Sequence, residues 1–276
     1  MASLKRIIGC SMVILIVVFS GIIIIILACT FTGRLSSVLS SDKSPVANLG
    51  ENQLLSCYLR IVKIIPLSQM SVTWMKSGVS GMVYQFKNGA VDLENQSPQF
   101  KGRAALSLVD LRTGNASLFL SAVRNEDQGV YTCTMSSSAG AGAVTVDLHA
   151  GAFSAPSFTL SNSSLTAVAE RWFPEPNVTW TNLSGTVLHG TTSLNSNSAG
   201  VYSVETVLSS INTSNSYILK IENSLKISVS KATVTGSEII QQTYLYNTNK
   251  ASSPLITSTS LTFMIAILYF GLAIFP

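Results

Sequence analysis

Few side chains in this sequence have the type and spacing needed for catalysis. His149 and His189 are its two histidines, and neither sits in a metal-ligand or triad spacing. The chain has no Gly-x-Ser-x-Gly elbow, no His-Glu-x-x-His and no P-loop. Gly140-Ala-Gly142 is too short to cradle a phosphate and reads as a hairpin. Enzymatic activity, a cofactor, a bound metal and a small-molecule substrate are therefore not expected. The remaining chemistry is oxidative and post-translational. Four cysteines allow three pairings. Cys10 and Cys29 lie in an apolar N-terminal stretch, which leaves Cys57 and Cys133 as the one pair beyond it. Two sulfurs that far apart, with no histidine nearby, make no zinc site. A disulfide closing that loop contributes about 4–5 kcal/mol in the chain-entropy model. Six Asn-x-Ser/Thr tripeptides, at Asn95, Asn115, Asn162, Asn177, Asn182 and Asn212, are acceptors for N-linked glycan in a secreted chain. Pro98 weighs against Asn95, and closeness to a core strand weighs against Asn177.

The ends of the chain set the compartment. Residues 7–31 are almost wholly apolar behind Lys5 and Arg6, which is the layout of a secretory signal. Cleavage fits after Ser20 or near Thr30 to Gly33, and the run is also long enough for an uncleaved signal anchor. Residues 261–275 are apolar again. Small residues near Asn249–Ser253, a polar spacer and a terminal apolar tail match a glycolipid-anchor signal. A short spanning helix is the alternative. Either way the domains stand on the outer side of the plasma membrane. Setting aside Lys5 and Arg6 leaves 15 of the 17 basic residues against 13 acidic ones, a net of +2. No basic stripe is present, so nucleic acid is not an expected partner.

Between the ends the composition is that of antiparallel sheet. Leu54–Cys57, Ser71–Met75, Met82–Phe86, Ser117–Leu120, Val130–Met135 and Ala143–Leu148 read as short strands separated by turn signals. The expected fold class is all-β. Cys57, Trp74 and the segment Asp127-Gln-Gly129-Val-Tyr131-Thr-Cys133 resemble the pin of an immunoglobulin sandwich. That resemblance implies a Cys57–Cys133 disulfide joining two sheets, an indole packed on it, and a tyrosine corner at Tyr131. It also implies a salt bridge between Arg103 and Asp127, which explains Glu126-Asp127 structurally. The extra strand at Met82–Phe86 marks a variable-type domain. Residues 34–150 form that domain.

Gly151–Pro156 reads as a hinge into a second sandwich, residues 151–235. Phe173-Pro-Glu-Pro-Asn-Val-Thr-Trp180 and Tyr217-Ile-Leu-Lys-Ile221 resemble the core strands of a constant-type immunoglobulin domain. Where that family places its two cysteines, this chain has Ala167 and Leu219. A disulfide-free and weaker second domain is expected, since losing such a bond typically costs about 2–5 kcal/mol. Residues 236–254 read as a stem and 255–276 as the anchor segment.

A variable-type domain followed by a constant-type one resembles the B-seven and butyrophilin family of costimulatory ligands. Leu49–Cys57, Trp74–Gly81, Phe100–Arg103, Gly114–Leu118, Gly151–Pro156 and Arg171–Pro176 carry the resemblance. It implies a surface ligand that binds a counter-receptor on lymphocytes through the first domain and restrains T-cell activation, proliferation and cytokine production. An activating ligand and a homophilic adhesion protein are the other readings. The family uses the sheet bearing the second cysteine. Alternation from the inward Trp74 and Cys133 leaves Thr73, Met75, Gln85, Thr134, Ser136 and Thr145 facing out as contact candidates.

Overall fold

A computed structural model describes residues 17–24, 38–61 and 63–248. Cys10, Cys29, the later cleavage region and the 255–276 anchor segment lie outside the described residues. Residues 17–24 are helical. Among the described residues no helix is long and apolar enough to cross a membrane. The chain divides into two compact units at His149 and Ala150.

The first unit is built from two facing sheets. One contains Val46–Asn48, Gly140–Phe153, Gly129–Ser137, Met70–Lys76, Tyr84–Lys87 and Ala90–Val91, neighbours in that order. The other contains Gln53–Leu55, Leu118–Leu120 and Ala104–Leu106. Val38–Leu39 and Tyr58–Leu59 form a separate antiparallel pair. The strand period of two decides what fills the core. Val72 and Trp74 point inward from one strand, Tyr131, Cys133 and Met135 from the next, and Val144, Val146 and Leu148 from the third; all are buried. Leu55, Leu118 and Leu120 close the core from the opposite sheet.

The second unit repeats this layering. Ser157–Ser161, Ser164–Phe173, Tyr202–Leu208 and Thr191–Ser196 pair in that order. The second sheet has the order Val187–Leu188, Asn177–Asn182, Ser216–Glu222, Lys226–Thr235, Glu238–Asn247. Between them lies a core that includes Leu165, Ala167, Trp172, Trp180, Val204, Tyr217, Leu219 and Ile221.

Two segments differ from the sequence reading. Residues 236–254 contain a ten-residue strand, Glu238–Asn247, rather than only a stem. It pairs with Lys226–Thr235 along its whole length. Gly236, at φ +62, makes the tight turn that such a hairpin needs. Gly151–Pro156 is also not wholly a hinge, because Ala152 and Phe153 pair with Phe173 and Trp172 within the second unit. A Cβ on Gly151 would meet the Phe173 carbonyl oxygen at 2.8 Å, so glycine permits the pairing.

Candidate functional site

The platform beneath the outer sheet of the first unit is rigid. Cys57 and Cys133 are disulfide-bonded. The Trp74 indole is fully buried, and its Nε1 donates to the Ala116 carbonyl at 2.9 Å. The Tyr131 hydroxyl donates to the Asp127 carbonyl at 2.7 Å, and the ring meets Phe100 edge-on at 6.2 Å. Burial is the chief cause that pushes the Tyr131 phenol well above its ordinary range, with the Asp127 carboxylate adding to it.

Asp127 is a fully buried carboxylate with a complete set of donors. Arg103 Nη1 and Nη2 reach its two oxygens at 2.8 Å each, in a bidentate fork. The Arg124 backbone N–H donates to the same group at 2.8 Å. Arg103 spends its remaining N–H groups on the carbonyls of Gln99, Ser121 and Ala122. The hydrogen bond to Asp127 holds the guanidinium pKa above its ordinary value. An arginine and an aspartate thus tie the second sheet to the turn that launches Gly129–Ser137.

That strand and its neighbours set the register of the outer face. Thr132 lies opposite Met75 on one side and Thr145 on the other. Thr134 lies opposite Thr73 and Ala143, and Thr73 in turn opposite Gln85. Ser136 pairs with Ser71 and Ala141. Thr73, Met75, Gln85, Thr134, Ser136 and Thr145 therefore stand in adjacent cross-strand rows. Met75 is 42% exposed, and Thr134, Ser136 and Thr145 are exposed. Thr73 and Gln85 are half-buried and bound to each other, Gln85 Nε2 donating to Thr73 Oγ1 at 3.1 Å. Val130, 39% exposed, belongs to the same outward series two residues before Thr132. The sequence reading stopped short of it, although the alternation that places Thr134 places Val130 too. The centre of this surface is uncharged and mildly apolar at Met75 and Val130, while Asp147, opposite Val130, and Lys87, two residues beyond Gln85, put one charge of each sign on its margins. It offers flat contact area with hydroxyl donors and acceptors, which suits protein binding rather than catalysis.

Residues 40–148 match the family model described as the immunoglobulin V-set domain. The V-set domain-containing T-cell activation inhibitor 1 of Rattus norvegicus is 34% identical over 269 residues, covering 94% of each chain. The chain belongs to the B-seven and butyrophilin family. The Homo sapiens protein of the same description is 33% identical over 267 residues, again across 94% of both chains. The CD276 antigen homolog of Xenopus laevis is 32% identical over 206 residues, spanning 69% of this chain and 66% of the relative.

In this B-seven and butyrophilin member the second unit contains no cysteine. Ala167 and Leu219 are both buried in the core, as is Trp180. Trp180 Nε1 donates to Thr206 Oγ1 at 2.9 Å, so the indole has its polar partner. Apolar burial of Leu219 contributes about 1.5–3 kcal/mol to this core. The acceptor asparagines lie at several kinds of place. Asn95, Asn162, Asn177 and Asn212 are exposed, and Asn115 and Asn182 are half-buried. His149 Nε2 is 3.0 Å from Ser44 Oγ, and His189 is exposed.

Proposed function

We propose that this chain is a cell-surface immunoglobulin-like ligand that engages a counter-receptor on lymphocytes through the outer sheet of its first unit and restrains T-cell activation. The row of outward residues centred on Thr132 and Met75 carries the reading, because it is an exposed, hydroxyl-rich face with an apolar spot at Met75, backed by the disulfide-tied core. The relatives named for inhibition of T-cell activation give the reading its sign. In this proposal the two units are tandem immunoglobulin domains, variable-type and then constant-type. Signal and anchor segments hold them on the external side of the plasma membrane, with glycan on the accessible sequons. The protein works by binding and needs no cofactor.

The test is a co-culture. Cells displaying the full chain are mixed with stimulated T cells, and proliferation and cytokine release are measured. Reduced proliferation relative to cells lacking the chain supports the proposal. Increased proliferation would make it an activating ligand, and clustering of the displaying cells with one another would make it an adhesion protein. Release by a phosphoinositide-specific phospholipase distinguishes a glycolipid anchor from a spanning helix.

A further inference from the structure

The three-stranded sheet of the first unit presents an apolar row to its outer side. Leu54, Phe119 and Ala105 lie directly opposite one another on adjacent strands. Leu54 is 54% exposed and Phe119 is 41% exposed. They line a shallow groove of about 340 Å³ whose other walls include Ser107, Asp110, Asn115 and Ser117. An acceptor asparagine and the serine of its own tripeptide therefore stand in the wall of this apolar groove.

The tripeptide is held in place by the core. The Ala116 N–H donates to the Cys57 carbonyl at 2.9 Å, and the Cys57 N–H donates to Ser117 Oγ at 3.1 Å. The Ala116 carbonyl receives the Trp74 indole. Gly114, at φ +88, makes the preceding turn so close to the Leu59 carbonyl that a Cβ has no room there. Asn115 Oδ1 accepts from the Ser117 N–H at 3.1 Å and from the Ser117 hydroxyl at 2.6 Å. Those bonds occupy the amide oxygen and leave Nδ2, the atom that carries glycan, as the free end of the amide.

We propose that an N-linked glycan on Asn115 lies back over the row Leu54–Phe119–Ala105, with its first N-acetylglucosamine against the Phe119 ring. The C–H faces of a pyranose are apolar and stack on aromatic rings, and the acetamido methyl adds a further apolar contact. The glycan is tethered at the rim of the groove, so it meets the row without a separate association cost. The covered sheet is then withdrawn from protein contact, and the sheet carrying Met75 and Thr132 is the face left bare. This assignment does not depend on the sign of signalling.

The experiment uses the full chain from a eukaryotic secretory host, solubilised in detergent, with isotope-labelled acetyl groups on its sugars and each glycan trimmed to a single N-acetylglucosamine. Mass spectrometry should find Asn115 occupied. One acetyl methyl resonance should be shifted upfield by the ring, absent in Asn115→Gln and returned to its ordinary position in Phe119→Ser. Loss of the Asn115 sugar should lower the melting temperature of the first unit by about 2–4 °C, and by much less in a Phe119→Ser background. An empty Asn115, an occupied Asn115 with no shifted methyl, or a groove protected by dimerisation of the chain would each overturn the proposal. The first two outcomes are read on the unaltered protein and do not depend on a variant that folds.

Discussion

Leu219 lies directly opposite Trp180 on the neighbouring strand of the second unit, and both are buried. In the first unit Cys133 lies opposite Trp74 in the same way. The two registers correspond, so a leucine occupies the place where the paired sulfur sits in the first unit. Leu219→Ala would leave a cavity against the Trp180 indole in a core that has no covalent tie. The expected loss is about 2–5 kcal/mol, seen as a fall in the thermal transition of the second unit with the other transition unmoved.

The order of unfolding follows from the same contrast. The first unit carries a disulfide closing a 76-residue separation, whereas the second relies on packing alone. Calorimetry of the oxidised protein should show the second unit melting first. The double substitution Cys57→Ala, Cys133→Ala should lower the stability of the first unit by about 4–5 kcal/mol in the chain-entropy account. A second unit more stable than the oxidised first one would contradict this.

Arg103 and Asp127 form a buried fork, and removing one partner strands the other. Arg103→Ala should cost about 3–5 kcal/mol, because the Asp127 carboxylate would stay buried with only a backbone donor. Arg103→Lys should recover part of this, since an ammonium supplies the charge without the bidentate geometry. Chemical denaturation of the three proteins gives the ranking.

Tyr131 makes the first unit sensitive to alkali. Its folded pKa is raised, chiefly by burial, while an unfolded tyrosine titrates near pH 10. Above pH 10 the unfolded chain releases the proton and the folded chain keeps it. The stability from this group is therefore complete below pH 10 and falls as pH rises toward the folded value. The slope is about 1.4 kcal/mol per pH unit for one proton. Burial raises Tyr84 as well, which steepens the fall. Tyr131→Phe should lessen the slope and also lose the 2.7 Å bond to the Asp127 carbonyl, measurable in denaturant melts from pH 8 to 11.

Met75 tests the recognition face. It is exposed, so Met75→Arg should leave the melting temperature within about 1–2 °C of the original. Binding of the displayed protein to activated T cells should fall by tenfold or more if this apolar spot sits in the contact, which corresponds to about 1.4 kcal/mol. Ser193→Arg, exposed on the Thr191–Ser196 strand of the second unit, serves as the control and should bind normally.

Much of the first unit was legible because its signals are local. Alternation around Trp74 and Cys133 depends on a period of two and no distant partner, and it separates buried Val146 from exposed Thr145. Turn residues bracket each run. The strand Glu238–Asn247 was hidden for the opposite reason. Its exposed Ile240, Tyr244 and Tyr246 break the alternation between apolar and polar positions, and its partner strand supplies the regularity. Val130 was legible in principle, since it continues the outward series of Thr132. The apolar row on the other sheet was not. Leu54, Ala105 and Phe119 are far apart in the chain, and only strand pairing brings them to the side of Asn115.

By itself, then, the sequence determined the all-β class, the cysteine pair beyond the N-terminal stretch, the acceptor asparagines and the inward or outward sense of residues along the alternating strands of the first unit. Each follows from residue type and short-range spacing. Tertiary structure alone decided which residues stand side by side: Leu219 with Trp180, Met75 with Thr132, and Phe119 with Leu54 in the groove walled by Asn115. Register is a property of two strands brought together, and a slip of one residue would turn every one of these side chains to the other face.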